Sequence, residues 1–84
     1  MARQHDPAKP SPKNPKVRID PDRLRQARKA KNWHQADLAF HAGQRQATIS
    51  GLEQEDAPGI LLENAWAIAD VLGVSLGWLC GRAK

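Results

Sequence analysis

Helix-stopping residues divide the chain after Pro21 into short pieces, at Asn32, Gly43, Pro58-Gly59 and Gly73. Within the pieces, apolar residues recur three and four positions apart. Nowhere is there sustained alternation of period two, the mark of a half-buried strand. A chain punctuated this way is confined to short helices that must pack on one another to be stable. The spacing predicts an all-α, compact five-helix domain and no sheet.

The first helix opens at Asp20-Pro21, because Asp favours the N-cap and Pro suits the first helical position, where its missing N–H is no loss. Leu24, Ala27, Arg28 and Lys31 follow on one inward stripe, and Asn32 supplies a left-handed stop before Trp33. A second helix fits Gln35 to Ala42 with Leu38, Ala39 and Ala42 inward. Gly43 then permits the positive φ of a tight turn. A third fits Gln46 to about Gln54, with Ile49, Leu52 and Glu53 on one face. The fourth runs from about Leu61 to Leu72, and a last short one, capped by Ser75, carries Leu76, Trp78 and Leu79.

Residues 1–19 read differently. Five of the six prolines lie at or before position 21, with lysines between several of them and few large apolar side chains. Such a segment cannot bury enough surface to offset its ordering entropy. The expectation is a disordered basic arm over 1–19 and a folded domain over 20–84. Charge is uneven as well. Residues 16–31 hold Lys16, Arg18, Arg23, Arg25, Arg28, Lys29 and Lys31 against Asp20 and Asp22, whereas residues 32–84 are net acidic. Within a total of +4, that polarity suggests a face or arm that seeks a polyanion.

Several classes of function are excluded. Cys80 is the single cysteine, so no internal disulfide forms, and it does not share metal-ligand spacing with His5, His34 or His41. No Ser/His/Asp set or phosphate-cradling glycine loop is present, and five short helices leave little pocket. No enzyme, cofactor, metal or small-molecule substrate is expected. No apolar run approaches the ~20 residues of a membrane span, and no N-terminal stretch reads as a signal peptide. The expectation is a soluble, cytoplasmic domain.

The run Gln35-Ala36-Asp37-Leu38-Ala39-Phe40-His41-Ala42-Gly43, then Thr48-Ile49-Ser50-Gly51-Leu52-Glu53, resembles the helix-turn-helix of the Cro and phage-repressor (XRE) family. The likeness extends back to Leu24 and Arg28 and forward through Leu72-Gly73-Val74-Ser75-Leu76-Gly77-Trp78-Leu79. It implies a lambda-repressor-like fold, with the second and third helices forming the motif and the third entering the major groove of double-stranded DNA. Ile49 and Leu52 anchor that helix, leaving Gln46, Ala47, Ser50, Gly51 and Gln54 outside. By resemblance, Gln46, Ala47 and Gly51 stand where members read bases, with Ser50 beside them. Glutamine can pair in bidentate fashion with adenine, and alanine can meet a thymine methyl.

The resemblance also implies phosphate contacts. His34 and Gln35 open the second helix, whose unpaired N–H groups suit an anionic oxygen. Arg45, before the third helix, can meet a phosphate or a guanine, and Gln54 and Arg28 can reach the backbone. Arg28 and Glu53 lie on inward stripes, costly for lone charges; the family pairs an arginine and a glutamate there. Members usually follow that glutamate with Gly and basic residues, whereas Gln54-Glu55-Asp56-Ala57 follows here. Acids near the phosphates weaken binding.

One helix in one groove reads few base pairs, so this architecture implies a homodimer on a palindromic operator. Leu76, Trp78 and Leu79 are the expected dimer surface, with Trp66 in the core. The reading is therefore a small Cro-like regulator, a repressor, with no further domain expected after residue 84. The competing reading is a protein-interaction module, or an antitoxin component, on the same helical fold.

Overall fold

The computed structural model describes residues 15–81. The elements are β1 (Lys16–Val17), α1 (Pro21–Ala30), α2 (Gln35–Ala42), α3 (Gln46–Leu52), β2 (Ile60–Leu61), α4 (Leu62–Leu72) and α5 (Leu76–Leu79). The local signals for the helices act as read. The Asp20 carboxylate accepts from the N–H groups of Asp22 and Arg23 at the start of α1, with Pro21 in the first helical position. Asn32 adopts φ 60° after α1. Gly43 and Gly73 take left-handed conformations after α2 and α4, and the Ser75 hydroxyl accepts from the Trp78 N–H. Lys31, expected on the inner stripe, is instead the exposed C-cap of α1. Helix α3 stops at Leu52, two residues early, with Glu53 as its cap.

The expectation of no sheet is corrected. β1 and β2 pair antiparallel, Lys16 with Leu61 and Val17 with Ile60, and the Leu62 N–H continues the ladder to the Pro15 carbonyl at 2.8 Å. Strands of two residues are too short to display a period. The same pairing moves the start of the folded part ahead of residue 20. Ile19 is only 2% exposed and belongs to the core, and the Asp20 N–H donates to the Leu79 carbonyl at 2.9 Å. Residues 1–14 of the expected arm, with Arg3, Lys9 and Lys13, lie outside the described residues.

The core gathers Leu24 from α1, Leu38 from α2, Ile49 and Leu52 from α3, Ile68 from α4 and Leu79 from α5. Two further expectations exchange places. Leu79, expected at a dimer surface, is 0% exposed, whereas Trp66, expected in the core, is 61% exposed. On α4 the buried set Ala65, Ile68, Ala69 and Leu72 follows the helical repeat. Trp66 falls about 100° away from Ala65 and so points outward. On the single turn of α5, Leu79 faces the start of α1, while Leu76 and Trp78 stay half-buried.

Candidate nucleic-acid interface

The turn between α2 and α3 decides what α3 can present. Gly43 has φ +68°, a conformation that strains residues with a Cβ. It lets the Gln44 N–H reach back to the Ala39 carbonyl at 2.8 Å. Leu38, Ala39 and Ala42 of α2 and Ile49 and Leu52 of α3 are buried, so α3 is fixed by its inner side. Its outer side carries Gln46 and Ala47, both exposed, and Ser50 and Gly51, half-exposed. A Cβ at Gly51 would meet nothing within 4 Å, so glycine leaves the outer surface bare rather than relieving a clash. Arg45 is the exposed N-cap of α3, and Gln54 is exposed just past its end.

Behind α3 lies a buried ion pair. Arg28 and Glu53 are 8% and 6% exposed. The guanidinium holds the carboxylate with two hydrogen bonds, Nε to Oε2 at 2.6 Å and Nη2 to Oε1 at 3.0 Å. Its Nη1 donates to the Trp33 carbonyl at 2.8 Å. Three of its nitrogens are thus engaged within the fold. Burial alone pushes the Glu53 carboxyl up. Hydrogen bonds from Arg28 and Gln35, with the charges of Arg28 and Arg25, outweigh it and hold Glu53 below the usual carboxylate range. The hydrogen bond to Glu53 raises Arg28 above its ordinary value despite burial.

Two members of this cluster escaped the sequence reading. Gln35, expected only at phosphate, donates from Nε2 to Glu53 Oε1 at 3.2 Å, and Arg25 donates from Nη2 to the Glu53 carbonyl at 3.0 Å. Glu53 thus joins α1, α2 and α3 at one point. Arg25 shares this use of a backbone carbonyl with Arg18 on Ala57, Arg23 on Trp78 and Arg28 on Trp33. The basic stretch 16–31 therefore contributes much of its charge to internal seams. Lys16, Lys29 and Lys31 remain exposed, and so does Arg18 despite its bond to the Ala57 carbonyl.

At the start of α2, the His34 N–H donates to Asp37 Oδ2 at 2.8 Å, and the His34 ring is exposed. A depression there is lined by Arg28, Lys29, Asn32, Trp33 and His34. Beside it Lys31 lies over the Trp33 ring, and Trp33 stacks on His41 with centroids 4.5 Å apart. Basic side chains thus lie beside the N-terminus of α2.

The helix-turn-helix family model matches residues 24–79, from α1 through α5. This chain is a member of the XRE-type helix-turn-helix family. A solved structure of the restriction-modification controller protein C.AhdI from Aeromonas hydrophila is similar to it, with TM-score 0.64 and 30% identity. The match covers 70% of this chain and 88% of that one. No curated protein matches the sequence significantly. Helix-turn-helix membership and this neighbour together support a DNA-binding transcription regulator. Among the described residues no helix is long and apolar enough to cross a membrane, and no three His, Cys, Asp or Glu side chains are grouped to hold a metal.

Proposed function

We propose that this chain is a sequence-specific double-stranded DNA-binding regulator of the small Cro-like type, a cytoplasmic repressor that acts by occupying its operator. The observation that carries the reading is the outer face of α3, held out by the Gly43 turn and backed by the buried Arg28–Glu53 pair. Gln46 is the base reader, Ala47 and Ser50 lie beside it, and Gly51 admits close backbone approach. The α2 N-terminus with His34 and Gln35, together with Arg45 and Gln54, meets phosphate. The likeness to a restriction-modification controller protein makes control of such a system a specific form of this role.

A second reading, a protein-interaction module, is favoured by Phe40, 80% exposed on α2, and by the exposed acids Glu55 and Asp56 after α3. Titration with genomic DNA at two salt concentrations separates the two. A regulator binds, and its affinity falls steeply with salt because bound phosphates release counterions. Absence of saturable binding would select the module.

Gln46→Ala is expected to cost about 1–3 kcal/mol at one base pair per half-site and relax preference there. Binding to operator and random DNA in parallel checks this, and an equal loss on both would make Gln46 a backbone contact. Deleting residues 1–14 is expected to weaken binding on every sequence and flatten the salt slope, since Arg3, Lys9 and Lys13 supply phosphate contacts. Pro15 must be kept, because its carbonyl accepts from Leu62. A slope that does not change would make the arm passive.

The regulator binds a palindromic operator as a homodimer through Leu76 and Trp78, half-buried residues on α5. Sedimentation at micromolar concentration with palindromic and half-site DNA tests this. A monomer throughout, binding one half-site as well as two, refutes it.

A further inference from the structure

Helices α2 and α4 each close on a left-handed glycine, Gly43 and Gly73. Helix α3 does not. Its cap, Glu53, sits at φ −92°, and its last turn holds no basic residue. No glycine follows before Gly59. Carboxylates gather there instead, on Glu53, Glu55 and Asp56, against the partial negative charge of a helix C-terminus. Gly51 lies in the same turn and weakens it, because glycine loses more backbone freedom on folding than alanine does. A helix of seven residues with such an end frays unless it is held from outside. The turn is nevertheless closed. The Glu53 N–H donates to the Ser50 carbonyl at 3.2 Å, and the Gln54 N–H donates to the Gly51 carbonyl at 3.3 Å.

We infer that Arg25 of α1 supplies the missing cap and is thereby a positioning residue for the base-reading face of α3. Its Nη2 donates to the Glu53 carbonyl at 3.0 Å, the kind of bond by which a basic side chain satisfies the last carbonyls of a helix. Its Nη1 donates to Asp22 Oδ1 at 2.9 Å, and its Nε lies 3.9 Å from Glu53 Oε1. A residue of its own helix thus braces the guanidinium that grips the end of α3. The labour is divided between two arginines. Arg28 takes the Glu53 side chain, and Arg25 takes its backbone.

The consequence falls on one end of α3. Ser50, Gly51 and Gln54 lie where Arg25 holds the chain. Gln46 and Ala47 lie in the first turn, where the Thr48 and Ile49 N–H groups return to the Arg45 carbonyl at 3.0 and 3.2 Å. Loss of Arg25 leaves Gln46 in place and frees the far end. The effect on DNA rests on the base-reading role proposed for α3, whereas the cap itself does not.

Amide hydrogen exchange in the full chain reads the cap directly, in Arg25→Met, Arg25→Lys and Arg18→Met. Methionine keeps a long side chain without donors. Arg18→Met removes an equal charge and a different arginine–carbonyl bond, the one to Ala57. In Arg25→Met the Glu53 and Gln54 amides are expected to exchange about tenfold faster relative to Ile49, the low end of what a bond from a charged donor is worth. Arg25→Lys is expected to fold and to restore part of the protection, since an ammonium reaches the carbonyl without the planar fork that Asp22 braces. Arg18→Met is expected to leave the ratio as in the parent chain. A ratio unchanged in Arg25→Met, or raised equally in Arg18→Met, would overturn the proposal.

Selection of sites from a random DNA pool reads the consequence. The parent chain and Arg25→Met are expected to share the preference set by Gln46, while preference at the pairs facing the last turn of α3 is lost in Arg25→Met. Equal sharpness at every pair would overturn the positioning role. A parent chain that selects no site would instead overturn the regulator reading, a failure that the exchange ratio tells apart.

Discussion

Replacing Arg28 or Glu53 alone with alanine is expected to cost the fold about 3–5 kcal/mol, because each change leaves a buried charge without its partner. For a small domain that is a large part of a total stability of about 5–15 kcal/mol. The two losses should differ. Without Arg28, the Glu53 carboxylate keeps the Gln35 amide at 3.2 Å and Arg25 Nε at 3.9 Å. Without Glu53, the guanidinium keeps only the Trp33 carbonyl among its hydrogen bonds described above. Glu53→Ala is therefore the more damaging. Urea denaturation of both single variants and the double variant checks the coupling, and a double variant no worse than the worse single one supports the pair. Additive losses would refute it.

The same pair gives stability a dependence on pH. Glu53 is held below its ordinary value in the fold, so its contribution is fully present above the unfolded carboxylate value. It is lost as pH falls through the depressed folded one. Acid denaturation of Glu53→Gln should lack that component.

Leu79→Ala is expected to cost about 2–5 kcal/mol, the range for emptying a buried leucine site. Leu79 is 0% exposed and sits where α5 closes on α1, its carbonyl accepting from the Asp20 N–H. The loss should be the same at every protein concentration, because the contact lies within one chain. A loss that shrinks as concentration rises would return Leu79 to an interface between copies.

Most helix boundaries were legible because they rest on local chemistry: Asp20-Pro21 at one start, Ser75 at another, Asn32, Gly43 and Gly73 at the stops; the end of α3, which carries no such residue, came two residues early. The inward placement of Arg28 and Glu53 followed from helical spacing, and their pairing from the family resemblance. The strand pairing of Lys16–Val17 with Ile60–Leu61 was not legible, since two-residue strands have no period and their partners are remote in sequence. Trp66 was misplaced by its size. The repeat Ala65, Ile68, Ala69, Leu72 already turns it outward. The contacts of Gln35 and Arg25 with Glu53 depend on where α1 and α2 meet the end of α3, which no local pattern encodes. The base-reading and phosphate roles still rest on the resemblance, with the exposure of α3 as their physical support.

Arginines 18, 23, 25 and 28, which donate to carbonyls, do different work from the lysines of the same basic stretch. Lysine at Arg18, Arg23, Arg25 or Arg28 would preserve the electrostatic field, yet a flexible ammonium does not reproduce the planar fork of donors. Changes there are expected to lower thermal stability. Exchanges at the exposed lysines 16 and 29 are instead expected to change the pull on a polyanion with little effect on the fold. The pull on a polyanion can thus be altered without eroding the scaffold that presents it.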